Sequence, residues 1–587
     1  MPAIIPWHIG NTTVRRPYRL RDGLRSLANS PLVGNLVGRD KESAFARLLH
    51  EKEIVFVQRI ANDQSGDFSD VGRKWRVALS QLGFITPKLT RGEFDPSGGD
   101  PLLQPIVRDC PSLSGRPFEI TPNGYRLIDA ESLPAQQECF LRSLVAYQLP
   151  SVLETSHDCA PFSPLRIVLK TFKRLEQSAL NPEISFEEMA SVVQLSKDEA
   201  NLDGKVALID RYRQERNRAS NKDRFDAAFR QNQSGYTNAA KLRTLADYAD
   251  LNFRYLKATG LFSAKGRGII RAKEKTRLID QLLAEDFTPR DNGTYLKTLW
   301  NGATLPTDRE DEAAEVIRSL VDLLRSKGET VRLPALRSLG AADLAQIRQR
   351  LEDRYRLLQE ETYANQQASQ WGDILSYMRA LAGVKGNATV PPGEAPAYFE
   401  WALWRAFLAI NSLANKPWEA RRFNIDQDFL PVGTAPGNGP DMIFEFEGFV
   451  LVVEVTLTSS SRQEAAEGEP VRRHVANIVE QYRASGKRVY GLFIANAINS
   501  NTAETFRIGT WYRHDDSRLG LSIVPLTLMQ FATIFEVGFI RGSLTPEMIE
   551  RIVHDCRLVS NNDAPQWKEL IGQEVARAVV RLRGSAA

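Results

Sequence analysis

Two carboxylates in the C-terminal third of the chain have side-chain types and a spacing that chemistry can use. The stretch Gly437-Asn438-Gly439-Pro440-Asp441-Met442-Ile443-Phe444-Glu445-Phe446 runs into Glu447-Gly448 and on through Phe449-Val450-Leu451-Val452-Val453-Glu454-Val455-Thr456. The pattern predicts a Gly/Pro loop, a short strand, a tight turn and a second, more apolar strand. With the turn at Glu447-Gly448, Phe446 faces Phe449, and the same antiparallel register carried outward sets Asp441 opposite Glu454. Like charges that close repel unless a cation lies between them, and hard divalent ions prefer oxygen ligands. The chemistry such a pair supports is Mg²⁺-dependent phosphodiester hydrolysis, with Asp441 and Glu454 as metal ligands. The competing reading is that Asp441 caps its loop and Glu454 pairs with a nearby arginine.

The elements around the pair read as an α/β segment over about 386–587. Tyr398-Phe399-Glu400-Trp401-Ala402-Leu403-Trp404 opens an aromatic-rich helix that must be largely buried, with Glu400 as its acid. A helix from Val471 to about Ser485 follows the hairpin, then strands at Arg488–Ala495 and Ser522–Leu526. Strand, strand, helix, strand in that order makes the core of a mixed sheet flanked by helices. Val450 to Val453 leave Glu454 at the end of a buried apolar strand, where a carboxylate is costly unless it is paired or metal-bound.

At 587 residues the chain is too long for one core, and about three or four domains is the expectation. Apolar and charged fractions of 42% and 25% are ordinary, and a net charge of +4 requires any basic surface to come from local clustering. No run approaches the roughly 20 apolar residues of a membrane span, and Met1 to Gly10 lacks a signal-peptide core. Cys110, Cys139, Cys159 and Cys556 show no CxxC spacing, which argues against a zinc site or disulfide framework. These features suggest a cytoplasmic protein.

Residues 1–160 mix short helices with strand-like pieces. Asp67-Phe68-Ser69-Asp70 caps a helix over Val71 to Leu82, ended by Gly83, that carries Arg73, Lys74 and Arg76. Phe118 to Ile128, with Asn123-Gly124 at its centre, reads as a hairpin. A basic helix and a later two-stranded wing are parts of a winged helix; a helix with a solvated basic face is the plainer alternative. Residues 161–290 read as helical, with Ser185 and Glu188 forming a capping box. Between Arg211 and Arg230 seven Lys/Arg stand against three acids, and between Arg254 and Arg277 eight stand against Glu274 alone. In the second run a helix ends at Gly260 and a basic hairpin follows, so Arg254, Lys257, Lys265 and Arg267 are candidate phosphate contacts. Residues 291–385 read as a helical linker with helices at Asp311–Lys327 and Ala341–Glu361.

An acid on a helix, then Pro-Asp, then Glu on a strand resembles the PD-(D/E)XK nuclease core. More specifically, Glu400 in Phe-Glu-Trp-Ala-Leu-Trp, Ala435-Pro436-Gly437-Asn438-Gly439-Pro440-Asp441, Glu454-Val455-Thr456, Glu469-Pro470-Val471-Arg472-Arg473-His474 and Phe493 to Thr502 resemble the AlwI-like type IIS restriction endonucleases. That group includes large-subunit nicking endonucleases. The likeness is dense over about 398–505 and scattered toward the N-terminus. It implies a multidomain α+β chain: winged-helix-like recognition over 1–160, helix-turn-helix-like recognition over 161–290, the linker, and a nuclease domain over 386–587. It also implies double-stranded DNA with a short asymmetric site, a cognate DNA methyltransferase, and a second nuclease domain from a transient homodimer or a separate small subunit. By position, Asp441 and Glu454 are metal ligands, Glu400 completes or supports the site, and His474 and Glu467 are accessory catalytic residues.

One departure stands out, Thr456 where the core pattern has lysine. His474 is the expected substitute, able to exchange a proton near neutral pH. The missing lysine also sustains a different class of function, a DNA-binding regulator whose nuclease-like domain is inactive. An RNA-processing nuclease is a third reading.

Overall fold

A computed structural model describes residues 3–584 except 37, 62–65, 87–118, 155, 387 and 461. Cys110 and Phe118 fall outside the described residues. The chain divides into two compact units, Met1–Tyr355 and Arg356–Ala587, so the segment read as a linker is shared between them. The division falls inside one helix, Ala341–Gln366. No helix among the described residues is long and apolar enough to cross a membrane.

In the first unit, helices α1 (Arg19–Ala28), α2 (Arg39–Glu51) and α3 (Ser69–Gln81) precede a two-stranded pairing of residues 84–86 with 119–121. The start of α3 is shaped by Asp67, whose Oδ1 accepts the Ser69 N–H at 2.8 Å. Here the hairpin expected over Phe118 to Ile128 is corrected. Pro122 to Asp129 form a helix, α4. The reason is local: Thr121 Oγ1 accepts the Gly124 N–H at 3.0 Å, and Pro122 sits at the first helical position, where its missing N–H costs nothing. The cap outweighs the turn preference of Asn-Gly, and Asn123 becomes a fully buried side chain donating to Ser143 Oγ.

Farther along, α5 (Pro164–Gln177), α6 (Phe186–Ser191) and α7 (Ala239–Ala258) lead into strands β1 (Phe262–Lys265) and β2 (Gly268–Arg271). The capping box is present: Ser185 Oγ accepts the Glu188 N–H and Glu188 Oε2 accepts the Ser185 N–H. Gly260 follows α7 at φ 73°, and β1 and β2 close as a tight antiparallel hairpin around Gly266-Arg267. Ile184 bridges to Ile269 and adds a third strand position to the hairpin.

The second unit is built on a mixed sheet. Strands β3 (Met442–Glu445), β4 (Phe449–Thr456), β5 (Arg488–Ala495) and β8 (Ile523–Thr527) lie in the order β3-β4-β5-β8, β3 antiparallel to β4 and the rest parallel. Between β5 and β8 a short separate hairpin, β6 (Thr510–Tyr512) with β7 (Arg518–Gly520), was not legible in the sequence. Helix α8 (Ala395–Ile410) is buried at every position from Ala397 to Ile410, as its aromatic content requires. Helix α9 (Glu469–Gln481) makes the crossover from β4 to β5. It packs close because β5 carries Gly491: a Cβ there would stand 2.8 Å from Val475 Cγ2.

Candidate active site

The hairpin register brings the two acids together. Met442 pairs with Val453 and Phe446 N–H donates to Phe449 O, so Asp441 lies opposite Glu454. The Asp441 N–H donates to Glu454 Oε2 at 3.3 Å, and the Val455 N–H donates to Asp441 Oδ2 at 2.9 Å. Neither carboxylate makes an ion pair with Lys or Arg among the described residues.

The crossover helix supplies the third group. His474 Nδ1 lies 2.7 Å from Glu454 Oε1, and both side chains are buried. His474 Nε2 is buried without a hydrogen-bond partner among the described residues. About two turns earlier, Glu467 sits in the π-helical turn Glu464–Gly468 that leads into α9. Thr456 lies close enough to oppose the upward push of burial on the Glu467 carboxyl.

Burial sets the protonation of this cluster. It pushes the Asp441 carboxyl well above its ordinary range, and the charges of Glu454 and Glu467 push further; the Val455 N–H and His474 oppose them. Glu454 is pushed up to about 8, by burial first and then by Glu467, against its hydrogen bond from Asp441 N–H and the charge of Arg422. Burial also raises Glu467, while burial and the charge of Arg473 lower His474 below its ordinary value. Three acids and a histidine therefore share one corner, an arrangement short of positive charge.

The donor set fits a hard divalent cation. Among the described residues no group of three or more His, Cys, Asp and Glu is arranged to hold a metal ion by itself. Mg²⁺ binds through one or two carboxylates, with waters and phosphate oxygens completing its shell, so the Asp441–Glu454 pair suffices on the protein side.

Glu400 holds the loop before the pair. Its Oε2 accepts the Ala435 N–H at 2.7 Å, which ties α8 to the loop that ends at Asp441. The sequence did not single out Arg422. Its N–H donates to Asp441 O, and its guanidinium donates to Pro440 O at 3.3 Å and to Asn438 Oδ1. The signal that finds it is a bridge pairing Arg421 with Met442, a long-range register absent from the local pattern.

The basic residues expected to touch DNA differ in their surroundings. Arg76 is drawn into a largely buried pair with Glu42, turned away from the solvated face expected of it. Arg73 and Lys74 share the exposed Asp70. Arg254 pairs with Asp250, Lys265 with Glu183, and Lys257 is half-buried. Arg267, at the hairpin tip, is exposed and stacks over Phe186 at 4.8 Å.

A family model described as AlwI restriction endonuclease matches residues 80–534. No curated protein matches the chain. Among solved structures, the small subunit of the heterodimeric restriction endonuclease R.BspD6I is 25% identical with a TM-score of 0.28, over 35% of this chain and 98% of that one. The BpuJ1 endonuclease binding domain, solved with pyrene- and phenanthrene-modified DNA, is 12% identical with a TM-score of 0.26, over 44% of this chain and 84% of that one.

Proposed function

The chain belongs to the AlwI restriction endonuclease family, and from that premise we propose that it is a Mg²⁺-dependent, sequence-specific DNA endonuclease of type IIS character. The observation that carries this reading is the Asp441–Glu454 pair, two carboxylates held face to face, Glu454 buried and Asp441 partly so, with no Lys or Arg ion-paired to either among the described residues. When bound there, Mg²⁺ polarises the scissile phosphate and lowers the pKa of a water. Asp441 and Glu454 hold the ion. His474 holds Glu454 through Nδ1, and its buried, unpartnered Nε2 is the proton acceptor of the cluster. Water attacks phosphorus and the P–O3′ bond breaks, leaving a 5′-phosphate and a 3′-hydroxyl. Glu400 fixes the loop that carries Asp441, and Glu467 adds negative charge that favours a cation.

Recognition is assigned to the first unit. In both halves of that unit helices precede a short two-stranded pairing, residues 84–86 with 119–121 and β1 with β2, and these pairings are the proposed wings. Arg73, Lys74, Arg254, Lys257, Lys265 and Arg267 are the proposed DNA contacts. A single metal site per chain cuts one strand per engagement. Double-strand cutting then needs a second copy or a separate nuclease subunit, and a cognate methyltransferase would protect host DNA in the cytoplasm.

The test is incubation of supercoiled plasmid and long genomic DNA with Mg²⁺, followed by sequencing of the ends. Wild type is expected to cut at a fixed distance from one asymmetric sequence, and Asp441→Ala and Glu454→Ala to leave the DNA intact. Cutting that survives both substitutions would overturn the site. Site-specific binding without cutting by pure wild type, in Mg²⁺ or Mn²⁺, would favour a regulator with an inactive nuclease-like domain.

A further inference from the structure

Thr456 leaves the site without the lysine of the core pattern, and the fold brings a different cation to the same row. Residues 420–422 run antiparallel alongside β3: Arg421 bridges Met442, the Ile443 N–H donates to Ala420 O at 3.0 Å, and the Arg422 N–H donates to Asp441 O at 3.2 Å. Cross-strand neighbours present their side chains on one face. Arg422, Asp441 and Glu454 are therefore consecutive members of one row. Alternation sends Arg421 the other way, where it forms a buried ion pair with Glu360 at 2.8 Å.

The surroundings of the Arg422 guanidinium are unusual for a half-buried cation. Its hydrogen bonds go to neutral acceptors, Pro440 O and Asn438 Oδ1, and it makes no ion pair with any described carboxylate. Three more N–H donors of its planar fork are left by that count. It also lies close enough for its charge to act on both Glu454 and His474. Gly439 makes room for it: a Cβ at that position would stand 2.3 Å from Arg422 Nη1.

Resting on the endonuclease reading above, we propose that the Arg422 guanidinium binds a non-bridging oxygen of the scissile phosphate and takes over the charge-stabilising part of the absent lysine. A planar, permanently charged fork is suited to phosphate oxygens, and its gain is largest where charge grows in the transition state. The proton-transfer part stays with His474, since arginine does not give up its proton.

Single-turnover cleavage of DNA carrying the mapped site separates the possibilities, with wild type, Arg422→Ala, Arg422→Lys, Gly439→Ala and Asp441→Ala compared in Mg²⁺. Arg422→Ala is expected to cut about 100-fold more slowly, while its affinity for intact DNA in Ca²⁺ stays within about 3-fold of wild type. Arg422→Lys should recover part of the rate, and Gly439→Ala, which displaces the guanidinium without removing it, should lose about 10-fold or more. Replacing one non-bridging oxygen at the cut by sulfur should slow wild type and leave Arg422→Ala much less sensitive. A wild-type rate for Arg422→Ala beside an inactive Asp441→Ala would overturn the proposal and leave the endonuclease reading standing. An unchanged sulfur effect in a slow Arg422→Ala would overturn it as well, reducing Arg422 to a loop brace. Cleavage surviving in Asp441→Ala would sink the endonuclease reading itself.

Discussion

In the unit Met1–Tyr355, Glu138 is wedged between two guanidiniums, 2.7 Å from Arg142 Nη2 and bonded on its other oxygen to Arg348. Arg348 reaches on to Glu352, which also binds Lys275 Nζ at 2.6 Å. In the unit Arg356–Ala587, Glu454 is buried and Asp441 partly so, yet their polar partners are backbone N–H groups and a histidine. Burial pushes Glu138 up, but Arg348 and Arg142 together outweigh it and hold the carboxyl at about 2. Glu454, with burial unopposed by a paired cation, is pushed up to about 8. The same chemical group titrates in opposite directions, and the difference is whether the fold supplies the counter-charge. Where it does, the cluster is structural; where it does not, the charge is missing, and the proposed cation would supply it.

The comparison can be broken first by removing one acid from each cluster's logic. Asp441→Ala and Glu454→Ala are expected to lower Mg²⁺-dependent cleavage by at least about 1,000-fold, about 4 kcal/mol of transition-state stabilisation. Their melting temperatures should stay level or rise, because a buried unpaired carboxyl has been removed. Arg348→Ala should do the reverse. It strands Glu138 and Glu352, costing about 3–5 kcal/mol of stability by chemical denaturation, while molecules that remain folded cut at the wild-type rate.

pH sharpens the contrast, because the signs differ. Glu454 holds its proton up to about 8 when folded but releases it near 4.5 when unfolded, so between those values the folded state binds more protons. Its stabilising contribution is complete below about 4.5 and is lost as pH rises toward 8. Glu138 behaves oppositely: its contribution is present above about 4.5 and is lost as pH falls toward 2. Stability curves of Glu454→Gln and Glu138→Gln against wild type should therefore diverge at opposite ends of the pH scale. The smallest effect belongs to the surface. Lys265→Ala and Arg267→Ala should each weaken DNA binding and reduce the slope of log K against log salt by about 1, without changing cleavage at saturating DNA.

The candidate site was more legible than the first unit, for a physical reason. One turn, Glu447-Gly448, fixes the β3–β4 register, and a two-residue period carries it without error to Asp441 and Glu454. The strand at Arg488–Ala495 and the buried helix around Glu400 follow from apolar patterning just as directly. Basic runs in the first unit overstate the local excess, because charge counted along the chain is not charge in space. Arg271, Lys275 and Arg277 look unopposed locally, but Glu176, Glu352 and Glu315, distant in sequence, pair with them. Asn123-Gly124 misled because a threonine cap and a proline at the first helical position outweigh a turn propensity. Arg422 was invisible because only a tertiary pairing, Arg421 with Met442, puts it beside the acids.

The central claim is that the Asp441–Glu454 pair lacks a cation and takes it from solution. The most direct measurement is hydrogen exchange of the β4 amides at pH 8, with and without Mg²⁺, in wild type and in the Asp441→Asn, Glu454→Gln double variant. In wild type, Mg²⁺ should slow exchange in β4 markedly, since a cation that binds only the folded pair stabilises it. The double variant should show no response to Mg²⁺. Equal protection by Mg²⁺ in both proteins, or none in either, would contradict the claim.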